Sequence, residues 1–463
     1  MQPHSLFPMR ATMTPARPAR RAGRRTSAGA VALAAVGLLG GCSTDKLLTV
    51  SNPGIAQPSS LSGTSGLAAY YAAAIGDFIV GYAGDGGTYE GLINYGGLLA
   101  DEVGSVDTFT TRNETDARST QPSNATNADI FRAIQRSRST AELAEAQFAK
   151  TAPTDARLSE VTSLAGFSYV AMAESYCSGI PFSSLASDGT TLVYGQPNTT
   201  DQVLQIAVAK FDTALTLATA AKVDSLANLA RVGRARALLD LNDVADAATQ
   251  AAAVSTTFTY YLYTSSNTTR QYNGIYYFDN INKRFSAIDR EGGNGLPYLS
   301  ANDPRVPYFD TGGPGFDGAR EWITQLKYPQ RTSPIPLATG AEARLIQAEG
   351  ALAAGAPTQF LSYLAQARTA VGDTATITDP GDQTGRVNLL FRERAFTLWL
   401  TGHRLGDMRR LIRFYNRGAE TVFPTGAYSG QGISAYGTDV NLPIPVQEQN
   451  NPNYTGACNK AAP

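Results

Sequence analysis

His403 and Asp407 stand four residues apart, one helical turn, the spacing at which a carboxylate can hold an imidazole as a general base. A hydrolase built on that pair would also need a nucleophile. The neighbourhood offers no Gly-x-Ser-x-Gly elbow, no thiol and no second histidine for a metal. Between Trp399 and Asp407, His403 therefore reads as a packed, hydrogen-bonded side chain, and no catalytic residue is assigned. The adjacent Asp101 and Glu102 are of the types that a glycosidase uses as acid and nucleophile, but neighbouring residues point apart. Asp407 is also three residues from both Arg404 and Arg410. On a helix, a carboxylate between two guanidiniums makes charge-assisted contacts, so Arg404, Asp407 and Arg410 are expected to form a structural ion-pair cluster.

The remaining reactive types point to recognition. The three cysteines, Cys42, Cys177 and Cys458, match no zinc ribbon, redox CxxC or haem-attachment spacing. No calcium-loop pattern occurs either, so no metal and no cofactor are expected. Tyrosine is abundant, at 22 against 2 histidines, and it gathers between residues 255 and 300. There Tyr272, Tyr276 and Tyr277 have two readings: rings that stack on the C–H face of a sugar, with Asn and Asp nearby for its hydroxyls, or anchors for the underside of a loop.

With 38 Lys+Arg against 39 Asp+Glu in 463 residues, the formal net charge is −1, and no basic field exists to hold nucleic acid. Hydrophobic residues make up 43% and charged ones 17%. That permits a large core beneath a surface of uncharged polar residues, Gly and aromatics.

The first 27 residues carry Arg10, Arg17, Arg20, Arg21, Arg24 and Arg25 with no acid, and the apolar run Ala28 to Leu39 follows. This is a basic region and a short hydrophobic region, too short to span a bilayer permanently. The sequence Leu39-Gly40-Gly41-Cys42 resembles the lipobox of bacterial lipoproteins, in which the thiol takes the lipid. An ordinary signal peptide followed by a cysteine is the alternative. Residues 1–41 are accordingly expected to be a signal peptide and residues 42–61, rich in Ser, Pro and Gly, a lipid-anchored tether. Ser43 rather than Asp after the cysteine points to the outer membrane. Met9 and Met13 remain alternative starts, and either the general or the twin-arginine export route fits. With Cys42 lipidated, Cys177 and Cys458 are an even pair in an oxidising compartment, and a disulfide is expected in preference to two free thiols. Closing so long a loop would stabilise by roughly 3 to 5 kcal/mol in the chain-entropy model.

These groups must be positioned by helices. Leu67–Ile79, Ala128–Ala149, Leu158–Cys177, Gln202–Ala221, Ser225–Leu239 and Val244–Ala253 show apolar residues at helical spacing with Ala-rich faces. Residues 203–253 have the small-residue rhythm of tetratricopeptide hairpins, which implies an α-superhelix. Gly81–Gly104 is glycine-rich and is expected to be a loop. From Ser255 to Arg331 periodicity gives way to Tyr, Asn, Gly and Pro, a loop-rich insertion of the length that usually carries function. Helices resume at Gly340–Ala354, Gln359–Ala370 and Val387–Tyr415, and residues 62–463 are expected to form one domain. No strand alternation points to a parallel sheet.

The stretch from Phe391 to Arg410, Phe-Arg-Glu-Arg-Ala-Phe-Thr-Leu-Trp-Leu-Thr-Gly-His-Arg-Leu-Gly-Asp-Met-Arg-Arg, resembles the carboxy-terminal helix of the SusD/RagB family of outer-membrane nutrient-binding lipoproteins. Leu442-Pro-Ile-Pro445 with Glu448 and Asn451-Pro-Asn453, Ala341-Glu-Ala-Arg-Leu-Ile346 with Ala348-Glu349, and Asp101-Glu102 with Asp116-Ala-Arg118 are similar to further family segments. Trp322 with Lys327-Tyr328-Pro329 also fits and is expected to be packing. Thr401 departs from the pattern, because many members carry Glu there. The resemblance implies a mainly α, tetratricopeptide-like fold with long loops that build a ligand surface. It also implies a glycan or other nutrient as ligand, a SusC-like TonB-dependent β-barrel transporter as partner, and attachment to the membrane through Cys42. A tetratricopeptide-type scaffold lipoprotein is the alternative, and peptide versus glycan stays open.

Overall fold

Capping side chains mark where the helices begin. Asn124 accepts the amide of Asn127 at 3.0 Å at the head of α4. Thr199 and Gln202 form a reciprocal capping box at the head of α6, Thr339 caps α9 through the amide of Glu342, and Asp382 caps α11 through that of Gly385. The computed structural model describes residues 63–186, 191–456 and 458–463. The expected signal peptide, tether and lipidated Cys42 lie outside the described residues.

The principal helices are α1 (Gly63–Ala83), α2 (Leu92–Leu99), α3 (Thr110–Asp116), α4 (Ala125–Thr151), α5 (Arg157–Ser175), α6 (Thr200–Ala221), α7 (Asp224–Asp240), α8 (Val244–Ala252), α9 (Gly340–Ala353), α10 (Pro357–Ala370), α11 (Gln383–Thr397) and α12 (Arg404–Tyr415). α1 packs on α4, and from α4 to α10 each helix packs on the next. Paired neighbours of this kind form a tetratricopeptide-like superhelix. The crossings are close because small residues allow it. Phe211 of α6 lies, edge-on to Phe167, in a socket between Gly166 of α5 and Gly233 of α7. A Cβ on those glycines would stand 2.8 and 2.2 Å from its ring.

The loop-rich side is built from antiparallel strand pairs. β1 (Val103–Ser105) pairs with β3 (Phe285–Ala287), β2 (Thr259–Leu262) with β6 (Ile335–Thr339), and β4 (Tyr308–Pro314) with β5 (Glu321–Gln325). Residues 255–331 thus carry short strands and single helical turns. The expected loop at 81–104 also needs correction, because it contains α2. All eight residues of that helix are buried, so it lacks the one-sided periodicity that marks a helix in sequence. The expected helix 387–415 is two helices, broken where Leu400 and Gly402 adopt positive φ of 52° and 81°.

Charge binds the two sides. Arg236 of α7 forks onto both carboxylate oxygens of Glu342 of α9 at 2.7 and 2.8 Å. Asp407 of α12 receives Arg394 of α11 at 2.8–2.9 Å and Arg410 at 2.8 Å, while Arg410 reaches Glu349 of α9 at 2.5 Å. Glu393 of α11 receives Arg368 of α10 at 2.6–2.7 Å and Arg305 at 2.7 Å. The expected cluster of Arg404, Asp407 and Arg410 is therefore half right: Arg410 binds Asp407, but Arg404 pairs with Asp101 at 2.6 and 2.8 Å. Helical side chains lean toward the helix N-terminus. Arg410 therefore lies back over Asp407, whereas Arg404, first in the helix, projects off its end. Cys177, just past α5, is bonded to Cys458 across 281 residues, and its amide donates to Leu442 O at 3.0 Å.

Two outcomes are expected. Gly233→Ala should lower stability by about 1–3 kcal/mol, outweighing the roughly 1 kcal/mol that alanine adds as a helix former. An unchanged urea midpoint would mean that Phe211 moves aside freely. Burial alone would raise the Asp407 carboxyl, but Arg394 and Arg410 outweigh it and hold the group at about 2, below its ordinary 3.8. Its contribution is then fully present above its ordinary value and lost as pH falls through about 2. Asp407→Asn should cost about 3–5 kcal/mol at neutral pH and flatten the acid limb of a stability-versus-pH curve. Parallel curves for wild type and variant would refute that role.

Candidate functional site

The broken segment between α11 and α12 holds the loop side in place. Tyr328 Oη donates to Leu400 O at 2.9 Å, Glu102 Oε1 accepts the Leu400 amide at 2.9 Å, and Tyr298 packs on Phe396 and Trp399 with centroids 5.2 and 6.5 Å away. Asp101, already held by Arg404, accepts the amide of Leu296 at 3.0 Å. Leu296 in turn closes the 290–296 turn through its carbonyl, which accepts the Arg290 amide at 3.0 Å. Asp101 and Glu102 thus point to different partners, as neighbours must: Asp101 fixes the turn that carries Glu291, and Glu102 fixes the break at Leu400.

That turn forms one wall of an open cavity of about 460 Å³. The others come from β1, β3, the start of β5 and the 427–436 turn. At its floor Asp116, the last residue of α3, is 2% exposed. Its Oδ2 accepts the Ser105 amide at 2.9 Å and Tyr428 Oη at 2.6 Å. Glu291 Oε1 accepts Tyr436 Oη at 3.0 Å, and Tyr428 and Tyr436 meet edge to face at 5.2 Å. Both carboxyls line the cavity, and Asp116 Oδ1 and Glu291 Oε2 are buried without a hydrogen-bond partner. Burial pushes Asp116 up to about 6, and burial with the adjacent Asp116 pushes Glu291 well above the usual carboxylate range. Asp289 behaves oppositely: against burial, the amides of Ser300 and Leu299 hold it below its ordinary value.

Two exposed aromatic rings lie on the segments next to the wall residue Val106, outside the cavity lining. Arg284 lies between Phe316, 3.3 Å from its guanidinium carbon to the ring centroid, and Phe109, at 5.1 Å, and Arg284 also donates to Asp107 at 2.8 Å. Phe109 and Phe316 are 51% and 48% exposed. The Phe316 loop can sit this close because Gly315 lies against Val106, where a Cβ would meet a side-chain methyl at 2.4 Å. A second hollow of about 540 Å³ lies between α1 and the 263–271 segment, with Tyr71, Asp77, Tyr263 and Arg270 among its walls.

Neither hollow is lined by Tyr272, Tyr276 or Tyr277. All three are half-buried. Tyr272 and Tyr277 cover the Gly86-Gly87 turn, where a Cβ would meet their rings at 2.7 and 3.2 Å, and Arg331 stacks on Tyr272 at 5.0 Å. Tyr272 and Tyr277 thus pack on that turn, and Tyr276 packs against the core. Trp322 donates to Asp279 O at 2.9 Å under Lys283. His403 is buried, with Nδ1 2.9 Å from Thr401 Oγ1 and Nε2 3.2 Å from Glu342 Oε1. Burial, then Arg236, lowers its pKa and keeps it neutral. Among the described residues no group of three or more His, Cys, Asp or Glu is arranged to hold a metal. Sequence reasoning missed Glu291, Tyr428 and Tyr436. Their only local signals are glycine-rich turns, at Gly292-Gly293-Asn294-Gly295 and Gly430-Gln431-Gly432, and turns of this type occur throughout the chain.

No family model and no curated protein matches the chain, but solved structures do. A SusD-like carbohydrate-binding protein from Bacteroides fragilis is 14% identical, with a TM-score of 0.61 over 86% of this chain and 100% of its own. A SusD-like carbohydrate-binding protein from Bacteroides vulgatus is 14% identical, with 0.59 over 87% and 98%. A SusD/RagB family protein from Bacteroides thetaiotaomicron is 15% identical, with 0.59 over 84% and 95%. The chain has the SusD-like fold, as its carboxy-terminal motif implied.

Because Arg404 leaves Asp101 as a buried charge when removed, Arg404→Met should cost about 3–5 kcal/mol. Adding Asp101→Asn should restore part of the loss, since the amide oxygen can still accept from Leu296. Strictly additive effects in a denaturation double-mutant cycle would show that the pair is uncoupled.

Proposed function

We propose that the protein is an outer-membrane lipoprotein, anchored through Cys42, that captures an oligosaccharide in the 460 Å³ cavity and passes it to a TonB-dependent β-barrel transporter. The observation that carries this reading is the cavity itself. It is assembled from separate loops on a SusD-like frame and combines carboxyl and phenol groups for hydroxyls, with the exposed rings of Phe109 and Phe316 on neighbouring segments. Phe109 and Phe316 offer faces on which sugar C–H groups stack, while Asp289, Tyr428 and Tyr436 are placed for hydroxyls. This moves the ligand contacts away from Tyr272, Tyr276 and Tyr277. The chemistry asked of the site is binding and release, with no bond broken. Tethering beside the transporter raises the effective concentration of bound ligand, so a modest affinity suffices.

Three measurements test this. Cys42→Ser should move the protein from the membrane fraction to the soluble fraction of the envelope. Native co-purification from outer membranes should bring down a TonB-dependent barrel in near-equal amount, and the purified chain should bind saccharides on a glycan array, with Phe316→Ala weakening binding about tenfold or more. Recovery of other envelope proteins without a barrel would favour the tetratricopeptide scaffold instead.

A further inference from the structure

The 290–296 turn has a second face. Arg290, Glu291 and Gly292 line the 460 Å³ cavity, whereas Asn294 and Leu296 line a separate hollow of about 320 Å³. Its other walls come from α11, α12 and residues 417–422. The two spaces differ in charge. Asp116, Asp289, Glu291 and Glu321 stand in the lining of the first, against Arg290 and Arg320. Arg392, Arg404 and Arg417 stand in the lining of the second, and among the described residues no Asp or Glu joins them there.

The carboxylates next to this hollow are already committed. Glu393 is shared among three arginines: Oε1 accepts Arg368 at 2.6 Å and Arg392 at 3.3 Å, and Oε2 accepts Arg305 and Arg368, both at 2.7 Å. Glu420, beside Thr421, accepts Arg118 through both oxygens at 3.0 and 3.2 Å. Asp101 holds Arg404 Nε and Nη2, which leaves Arg404 Nη1 over. Arg417 has a neutral partner, donating through Nη2 to Asn388 Oδ1 at 2.9 Å. Arg392 and Arg417 therefore lack a carboxylate of their own. The Arg392 side chain is 35% exposed and lies over the Phe396 ring at 4.5 Å, so its fork is held in place with donors open to a ligand.

We propose that this hollow is a second ligand site, separate from the 460 Å³ cavity, and that it takes the carboxylate or sulfate ester of an acidic sugar. Guanidinium forks match the oxygens of either group. Asn388 and Thr421 supply neutral partners for ring hydroxyls, and Leu296, Leu411 and Val422 form an apolar wall for the C–H face. The sugar as carrier rests on the saccharide-binding reading, whereas the oxyanion site stands on the arginines alone.

The test uses the full chain purified in detergent. Oligogalacturonides and sulfated oligosaccharides are compared by calorimetry with the methyl esters and the unsulfated chains, and the two acidic sets tell which oxyanion fits. One acidic set or both should bind about tenfold tighter or more than its neutral counterpart, and high salt should shrink the advantage. Arg392→Gln combined with Arg417→Gln should remove it, leaving neutral-saccharide binding and the thermal midpoint unchanged. An acid that binds no better than its neutral counterpart in both sets, or an advantage that the double variant keeps, would overturn the second site and leave saccharide binding in the first cavity standing. Loss of the acidic ligand in Phe316→Ala, with no loss in the arginine variant, would place that ligand in the first cavity and also overturn it. Inorganic sulfate gives a readout that needs no sugar. It should shift the Nε–H resonances of Arg392 and Arg417 in the NMR spectrum of arginine-labelled protein, and resonances that stay in place would overturn the oxyanion site even where saccharides bind.

Discussion

The structure depends on charge pairs buried where α7, α9, α11 and α12 meet. Arg236 with Glu342, Arg394 and Arg410 with Asp407, and Arg410 with Glu349 are all nearly excluded from solvent. Such pairs contribute little net stability, since desolvation offsets most of their attraction. Their effect is to penalise every other arrangement. A helix displaced by one turn would leave a guanidinium or carboxylate alone in the core, at a cost of several kcal/mol, so the register of these helices is set tightly.

That register is passed on to the loops. Arg404 extends the network to Asp101, Asp101 holds the Leu296 amide, and the turn that Leu296 closes carries Glu291 to the cavity wall. Only a few hydrogen bonds separate the helical core from the candidate site. Long loops ordinarily move, and here they are tied at several points: Asp101, Glu102, the Lys327–Trp399 carbonyl bond and Tyr328 on Leu400. A preorganised cavity loses less conformational freedom when it binds.

The departure at Thr401 also has a physical account. In place of a carboxylate, a hydroxyl at this position bonds the His403 ring, and the negative charge near that ring comes from Glu342 on α9. Glu342 already faces Arg236. A further acid at 401 would add buried negative charge to a cluster in which the histidine is neutral.

The sequence by itself determined the helical frame. Apolar spacing, Ala-rich faces and capping residues act within a few residues of one another, so the boundaries of α4 to α10 fall within three residues of expectation. The motif from Phe391 to Arg410 disclosed the fold, and two cysteines left unpaired disclosed a disulfide. What spacing could not decide was partner choice across long separations. Arg404 and Asp101 are 303 residues apart, and nothing local distinguishes that pairing from the nearer Asp407. The break at Leu400 and the fully buried α2 were hidden because backbone strain and two-sided burial leave no periodic trace. The candidate site was almost wholly a tertiary decision. Asp116, Glu291 and the Tyr428–Tyr436 turn come from three segments far apart in the chain, and they became one cavity only when the helices and the charge pairs between them brought those loops together.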